Sequence, residues 1–499
     1  MRILNTKQIR ELDAYTIKSE PIASIDLMER ASRAFADWLT ARVERTKRIG
    51  VVCGTGNNGG DGLAIARILH EWGYTVRVWV VRGQSNSTED FQANLRRLPN
   101  RIHPHDVVAA EDEISFANCD VLIDAMFGSG LSRPVEDVYE KVISVVNQTE
   151  AVRIAVDVPS GLMAEVHSSG AIVKADYTIS FQLPKLAFML PEANAFTGEW
   201  VLVDIGLDKG FIQKVDTPYH YVRSRDVRRM LKVRSKYDHK GKFGHGLLIA
   251  GSHGKIGAAV LAASAALRSG IGLLSIHAPG SGYAILQTAV PEAMVLVDPD
   301  DDVFTEPQSL EAYTAVGIGP GLGRDSRTRA ALEKTLKAIA KPVVLDADAL
   351  NIISENRHML GLIPSGSILT PHPKEFERLT GPWKDDFERL ELQKHLAREL
   401  SVIVVLKGAH TSIANENGHV YFNSTGNPGM ATGGTGDVLT GLVTGLLAQN
   451  YTPVEAAVAG VFIHGLAGDL GAKECGMDGL IASDVVRFIP GAFLKLISG

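Results

Sequence analysis

Residues 48–62, RIGVVCGTGNNGGDG, carry the reading that decides the fold. RIGVVC is a short apolar run rich in β-branched residues, which predicts a strand. GTGNNGGDG then supplies a glycine loop. Past it, Leu63, Ala66, Ile68 and Leu69 recur at helical spacing, and Gly73 ends that helix. Strand, glycine loop and helix in this order open a parallel sheet covered by helices. Glycine lets backbone N–H groups approach an anionic group with no side chain in the way.

The same grammar extends in both directions. Residues 7–20 and 26–47 read as helices, the second with Leu27, Ala31, Ala34, Phe35, Trp38, Leu39 and Val43 near helical spacing. Residues 75–81 form the next strand. Residues 121–123 and 154–156 are further strands, ending in Asp124 and Asp157. Ligands of such sheets bind beyond the carboxyl ends of the strands. The glycine loop, Asp124 and Asp157 all fall at such ends.

Residues 208–226 are mixed, charged and aperiodic, and read as a linker. Beyond them the alternation restarts. Predicted strands at 247–250, 273–277, 315–318, 343–345, 367–369 and 402–406 lead into loops bearing glycine, acid or histidine. These include Asp346-Ala347-Asp348, Thr370-Pro371-His372-Pro373 and Lys407-Gly408. Residues 258–269 form a helix of small residues. A second glycine loop, residues 426–437, ends in Gly433-Gly434-Thr435-Gly436-Asp437 before a helical run. The expectation is an α/β chain of two doubly wound domains, 1–215 and 225–499, the first Rossmann-like.

Composition bounds the function. The chain has 499 residues, 45% hydrophobic and 22% charged, with a net charge of −6, which disfavours a nucleic-acid or anionic-membrane partner. Cys53, Cys119 and Cys475 form no C-x-x-C pair, so neither a zinc site nor a disulfide framework is indicated, and Cys53 and Cys119 read as buried, inert thiols. No apolar leader and no run of about 18 apolar residues is visible, so a cytoplasmic protein without a membrane span is expected. His103 and His105 lack partner ligands and read as surface. Asp298–Asp302 (DPDDD) reads as a solvated loop, since no glycine-bearing loop with a closing glutamate follows.

The first loop matches the G-x-G-x-x-G dinucleotide fingerprint between strand and helix. An ordinary cofactor site also wants an acid at the end of the next strand, where this chain has Val81-Arg82. The richer pattern is oxygen donors: amides of Asn57 and Asn58, carboxylates of Asp124 and Asp157, the hydroxyl of Ser160. Hard cations collect such groups; either aspartate alone is better explained as a turn cap, but both together with the glycine loop point to a site. In the second loop, N–H groups at a helix N-terminus stabilise developing negative charge. Asp437 there can take a proton from a hydroxyl attacking a phosphoryl group, or serve only as a helix-terminal acid. No Gly-x-x-x-x-Gly-Lys-Ser/Thr element occurs, which disfavours a P-loop nucleotidase.

With these motifs the N-terminal 215 residues resemble the NAD(P)H-hydrate epimerase family. GTGNNGGDG at 54–62, DAMFGSGLSRPV at 124–135 and VDVPSGL at 156–162 carry the likeness. The resemblance implies a potassium ion held by Asn58, Asp124 and Ser160. It implies substrate contacts from Asn57, Asn58, Gly59, Gly60, Asp61, Gly128, Ser129, Gly130, Leu131, Ser132, Arg133, Pro134 and Asp157, with Asp157 the acid–base group. Ser32 stands where glycine is usual, and Met163 where an acid is common.

Residues 225–499 resemble the ribokinase-like superfamily, and within it the ADP/ATP-dependent NAD(P)H-hydrate dehydratases. HKGKFGHGLLIAGS at 239–252, GIGPGLG at 317–323, VVLDADALN at 343–351, LTPHPKEFERL at 369–379 and NPGMATGGTGDVLTG at 427–441 carry this likeness. It implies substrate contacts from Ala258, Gly323, His372 and Asp437, and adenine-nucleotide contacts from Lys407, Gly408, Ala409, His410, Thr411 and Gly436. Lys374 replaces a glycine common after the His-Pro pair. The expectation is a bifunctional enzyme that epimerises hydrated NADH and NADPH and dehydrates the S form at the expense of ADP or ATP. Asp437 is its second catalytic acid–base group, Mg2+ its cation, a homo-oligomer its assembly. A small-molecule vitamin-precursor kinase with a non-catalytic N-terminal binding domain stays open beside it.

Overall fold

The computed structural model describes residues 1–83 and 86–498. Two compact units emerge: residues 2–217 with 385–387, and residues 218–384 and 388–499 with Met1.

The first unit holds a seven-stranded sheet: β1 (Arg48–Cys53), β2 (Thr75–Val81), β3 (His105–Val107), β4 (Val121–Ala125), β5 (Val152–Val156), β6 (Tyr177–Phe181) and β7 (Glu199–Val203). The order is β3-β2-β1-β4-β5-β6-β7, and every pairing is parallel. Buried strands of this kind need two apolar faces. Val51 and Cys53 of β1 join Phe35, Leu39, Leu63 and Ile68 on one face. Val52, one residue out of phase, joins Trp79, Leu122, Val142 and Ile143 on the other. The order reverses where β1 lies between β2 and β4, and at such a switch point a crevice opens beyond the strand ends.

The helices expected before the sheet are Thr6–Ser19 and Ser24–Thr40. The second is shorter than the predicted 26–47, because its apolar stripe is complete at Leu39. Val43 is instead held by the Tyr74 hydroxyl, which donates to its carbonyl at 2.6 Å.

The second unit holds a ten-stranded sheet: β8 (Tyr219–Tyr221), β9 (His245–Ile249), β10 (Leu273–Ala278), β11 (Met294–Val297), β12 (Ala315–Ile318), β13 (Val343–Leu345), β14 (Ile368–Leu369), β15 (Ile403–Leu406), β16 (Ser412–Ala414) and β17 (Val420–Phe422). The order is β11-β10-β9-β12-β13-β14-β15-β16-β17-β8, antiparallel only at β15–β16 and β16–β17. The stretch read as a linker is thus structured: it forms the helix Lys209–Lys214 and the edge strand β8, whose three residues are too few to show periodicity.

Helix Thr435–Ala448 packs on the small-residue helix Ile256–Arg268. A Cβ on Gly441 would stand 1.9 Å from the Ala262 carbonyl oxygen, so this approach requires glycine. Helix Pro453–Cys475 is the one helix among the described residues long and apolar enough to cross a membrane; here it packs into the core of its unit.

Candidate active sites

In the first unit the glycine loop turns from β1 into helix Asn57–Glu71 under tight steric control. A Cβ on Gly59 would meet the Gly54 carbonyl oxygen at 1.9 Å. Beyond the strand ends lies a cleft of about 760 Å3 lined by Asn57, Asn58, Asp61, the segment 127–133, Asp157 and Lys185. Asp124, at the end of β4, is buried; its Oδ1 accepts from the Ser160 hydroxyl at 2.5 Å and its Oδ2 from the Ser160 amide at 2.7 Å. Burial raises its carboxyl to about 6 against these hydrogen bonds. The Asn58 side-chain nitrogen is buried with no partner among the described residues, and the amide oxygen lies 3.2 Å from where a Gly128 Cβ would stand. Asn58, Asp124 and Ser160 thus put amide, carboxylate and hydroxyl groups around one side of the switch point, a donor set suited to a hard monovalent cation.

Asp157 leaves β5 with φ 65°, a left-handed conformation that aspartate tolerates better than most residues. Its Oδ1 accepts from Lys185 Nζ at 2.7 Å, Ser180 Oγ at 3.1 Å and the Phe181 amide at 3.2 Å. Lys185 is 2% exposed and also donates to Ser180 Oγ and the Leu183 carbonyl. Asp13, from helix Thr6–Ser19, faces the same cleft; burial first, then Asp157, raise its carboxyl to about 6. Neither Asp13 nor Lys185 is signalled by the sequence: each lies outside the glycine motifs, and only the fold brings it to Asp157. Burial, with Asp157 and Asp13, also pushes Asp61 well up. Ser32 is buried, and its hydroxyl lies 3.3 Å from the Asp61 carbonyl and 3.5 Å from its carboxylate. Met163 is buried too. Pro134 lies outside the cleft lining, unlike Gly128, Ser129, Gly130, Leu131, Ser132 and Arg133.

In the second unit, Gly434 (φ 91°) turns the second loop into helix Thr435–Ala448, which places Asp437 in its first turn. Burial, then Asp346, raise the Asp437 carboxyl to about 6, with Lys407 opposing. Lys407 Nζ donates to Asp346 Oδ1 at 2.9 Å and lies 3.9 Å from Glu375; Thr440 Oγ1 donates to Asp346 Oδ2 at 2.6 Å. Burial opposes the Lys407 charge, yet Asp346, Glu375 and Asp437 hold its pKa above the ordinary value. A Cβ on Gly436 would stand 3.5 Å from Lys407 Nζ. Lysine, aspartates and helix N-terminus therefore converge.

Asp348 Oδ2 accepts from the Gly323 amide at 2.8 Å and lies 3.3 Å from Lys255 Nζ. A Cβ on Gly321 would stand 3.0 Å from the Ala258 Cβ, so Ala258 packs against the glycine loop that brings Gly323 to Asp348. Sequence reading saw Asp346 and Asp348 as strand-end acids without assigning them a place in the site. Asp469 went unread as well; its carboxylate takes the Gly426 amide and the Asn427 side chain at 3.0 Å each and braces the loop.

His372 is an N-cap: its Nδ1 accepts from the amides of Lys374 and Glu375. Lys374 itself is exposed. In the turn after β15, Thr411 Oγ1 exchanges hydrogen bonds with Gly408, and His410 Nδ1 lies 3.0 Å from the Asn423 carbonyl. The acidic run at 298–302 departs from expectation. Asp298 is buried 3.2 Å from His277, its carboxylate binding Thr305 and the amides of Asp300 and Glu306. Loop amides fold inward to satisfy it, which composition does not reveal.

The fold and sites define a two-unit α/β enzyme, a Rossmann-like unit followed by a ribokinase-like one. Models of two families match: YjeF-related protein N-terminus over residues 24–187 and NAD(P)H-hydrate dehydratase over residues 246–491. The bifunctional NAD(P)H-hydrate repair enzyme Nnr of Moorella thermoacetica is 34% identical, covering 98% of this chain and 96% of that protein. The enzyme of that name from Coxiella burnetii is 37% identical, covering 97% of each. A ribokinase-like superfamily protein from Enterococcus faecalis matches in structure with a TM-score of 0.50 and 27% identity, over 57% of this chain and 99% of that one. The chain belongs to the bifunctional NAD(P)H-hydrate repair enzymes.

Proposed function

We propose that the first unit interconverts the R and S epimers of hydrated NADH and NADPH, and that the second dehydrates the S epimer using ADP or ATP. The observation that carries this reading is that the likeness to repair enzymes runs over both units at once, 97% of the chain.

In the first unit, Asp157 is the acid–base group at the hydroxyl-bearing ring carbon. Lys185 donates to its Oδ1 and fixes its orientation. Asn58, Asp124 and Ser160 hold potassium, whose positive charge would anchor the loop 127–133 around the substrate. Asn57, Asp61 and that loop bind the nucleotide portion.

In the second unit, hydroxide is a poor leaving group and phosphate a good one. Asp437 removes the ring hydroxyl's proton as the oxygen attacks the terminal phosphoryl group. The N–H groups of Gly436 and Asp437 stabilise the charge on the transferring group, and Lys407 adds its own. Magnesium, when bound, neutralises phosphate charge. The ring nitrogen's lone pair then expels phosphate, and loss of a proton from the adjacent carbon restores the dihydropyridine. Lys407, Gly408, Ala409, His410, Thr411 and Gly436 hold the adenine nucleotide; Ala258, Gly323 and His372 hold the hydrated one. A homo-oligomer with neither nucleic-acid nor membrane partner belongs to the same reading.

The test is purified protein with hydrated NADH, magnesium and either nucleotide. Absorbance of reduced nicotinamide should return only with nucleotide present, and the R epimer should be consumed through the S form. A stable phosphorylated product with no return of NADH would favour a vitamin-precursor kinase instead.

A further inference from the structure

The first cleft holds more ionisable groups than its assigned reaction has used. Asp13 and Asp61 line it together with Asp157 and Lys185. They differ in what holds them. Asp157 takes three donors on Oδ1, one of them an ammonium. Asp61 is engaged by Ser32. Asp13 has no hydrogen bond to its carboxyl among the described residues. Its titration is set by burial and Asp157, which raise it to about 6, and by Lys185, which opposes them. Arg10, Asp90 and Arg133 also line the cleft but do not govern Asp13. The cleft therefore holds both a carboxyl group anchored by lysine and a carboxyl raised by burial that has no protein hydrogen-bond partner among the described residues.

We propose that Asp13 is the acid–base partner of Asp157, exchanging a proton with the ring nitrogen of the hydrated nicotinamide while Asp157 exchanges one with the hydroxyl. This rests on the epimerase reading above. The carbon bearing the hydroxyl is also bonded to the ring nitrogen. Asp157 takes the hydroxyl proton, the C–O bond becomes C=O, and the C–N bond breaks with its electron pair passing to nitrogen. Asp13 delivers its proton to that nitrogen. Rotation about the neighbouring carbon–carbon bond presents the other face of the aldehyde. On closure, nitrogen attacks the carbonyl carbon, Asp13 recovers its proton and Asp157 returns one to oxygen. No atom or electron is gained or lost overall. The step needs one ionised and one protonated group side by side, the division of labour that unlike environments impose on neighbouring carboxyls.

The experiment uses the full chain and follows epimer exchange by chromatographic separation of R and S hydrates. Dehydration of the isolated S epimer serves as the check on folding. Asp13→Asn should slow exchange on the order of 100-fold, lose the inflection of kcat/KM near pH 6 and dehydrate the S epimer at the wild-type rate. Asp13→Glu should keep exchange and move that inflection. Exchange by Asp13→Asn at the wild-type rate, or slowed with the inflection unmoved, would overturn the proposal. If Asp13→Asn does not fold, an Asp13→Glu profile identical to wild type overturns it and a displaced inflection supports it. A wild-type protein that exchanges no epimers would instead remove the epimerase reading itself.

Discussion

Lys185 Nζ lies 2.7 Å from Asp157 Oδ1, with the lysine side chain 2% and the aspartate 13% exposed. A lysine this buried is tolerated only when its charge and donors are matched. Asp157, Ser180 and the Leu183 carbonyl match them. Because the lysine, Ser180 and the Phe181 amide all take Oδ1, the other oxygen carries no protein donor among the described residues. The pair presents a carboxyl group to the cleft with one oxygen committed to the protein and one available.

Replacing this lysine should separate the two activities. Lys185→Met keeps the length of the side chain but removes the charge. Asp157 then loses the ammonium donor that orients its Oδ1. Epimer exchange should fall on the order of 100-fold. Dehydration of the isolated S epimer should be unaffected. Equal losses in both reactions would show that the lysine acts on folding alone.

Asp437 gives a prediction in which activity and stability move in opposite directions. Burial and Asp346 raise its carboxyl to about 6. As a base it must be ionised, so dehydration should decline as pH is lowered through 6. The stability sign is the reverse. Between the unfolded carboxyl value and about 6 the native state binds more protons than the unfolded one, so stability falls as pH rises across that window. Asp437→Asn should abolish dehydration and, at pH 7, raise the unfolding free energy by about 1–3 kcal/mol. Below pH 4 that gain should vanish. Denaturant melts of both proteins at the two pH values check it.

Lys407 is bound to a different outcome. Its Nζ meets Asp346, which is 2% exposed, at 2.9 Å. Among the described residues, Lys407→Met leaves that carboxylate with only the Thr440 hydroxyl, and breaking a buried pair on one side costs on the order of 3 kcal/mol. The variant should therefore melt earlier and also require more adenine nucleotide for half-maximal rate. The double variant Lys407→Met with Asp346→Asn should recover much of the stability without recovering the nucleotide affinity. Calorimetry and a nucleotide titration separate the two effects.

Much of this was legible in the chain because glycine and strand-end acids are local signals. GTGNNGGDG lies between an apolar strand and a periodic helix, so its place at a sheet's carboxyl edge follows from neighbours alone. Asp124 and Asp157 close apolar runs in the same way. Asp13 and Lys185 do not. One stands on an early amphipathic helix and the other in a short turn after β6, 172 residues apart in number but joined at one cleft by the crossover order of the sheet. The edge strand β8 was hidden because three residues carry no periodicity, and its pairing with β17 depends on chain 201 residues further on. Asp298 was misread for the same reason: an acid's burial depends on amides that only the folded loop turns toward it.

The proposed potassium site can be tested without any substrate. Asp124 is 2% exposed and its carboxyl is raised by burial, since only hydrogen bonds from Ser160 and Met126 oppose the lost hydration. A cation among Asn58, Asp124 and Ser160 would supply the missing charge, and any ion that binds the native state raises its stability by RT ln(1 + [L]/Kd). At one ionic strength, the first unfolding transition should therefore be higher in potassium chloride than in tetramethylammonium chloride, the larger ion being excluded by size. A potassium concentration 100 times Kd corresponds to about 2.7 kcal/mol. Asp124→Asn keeps the shape but removes the charge, and it should melt alike in both salts. If the wild-type protein shows no preference between the salts, or if Asp124→Asn shows the wild-type preference, these three residues hold no ion.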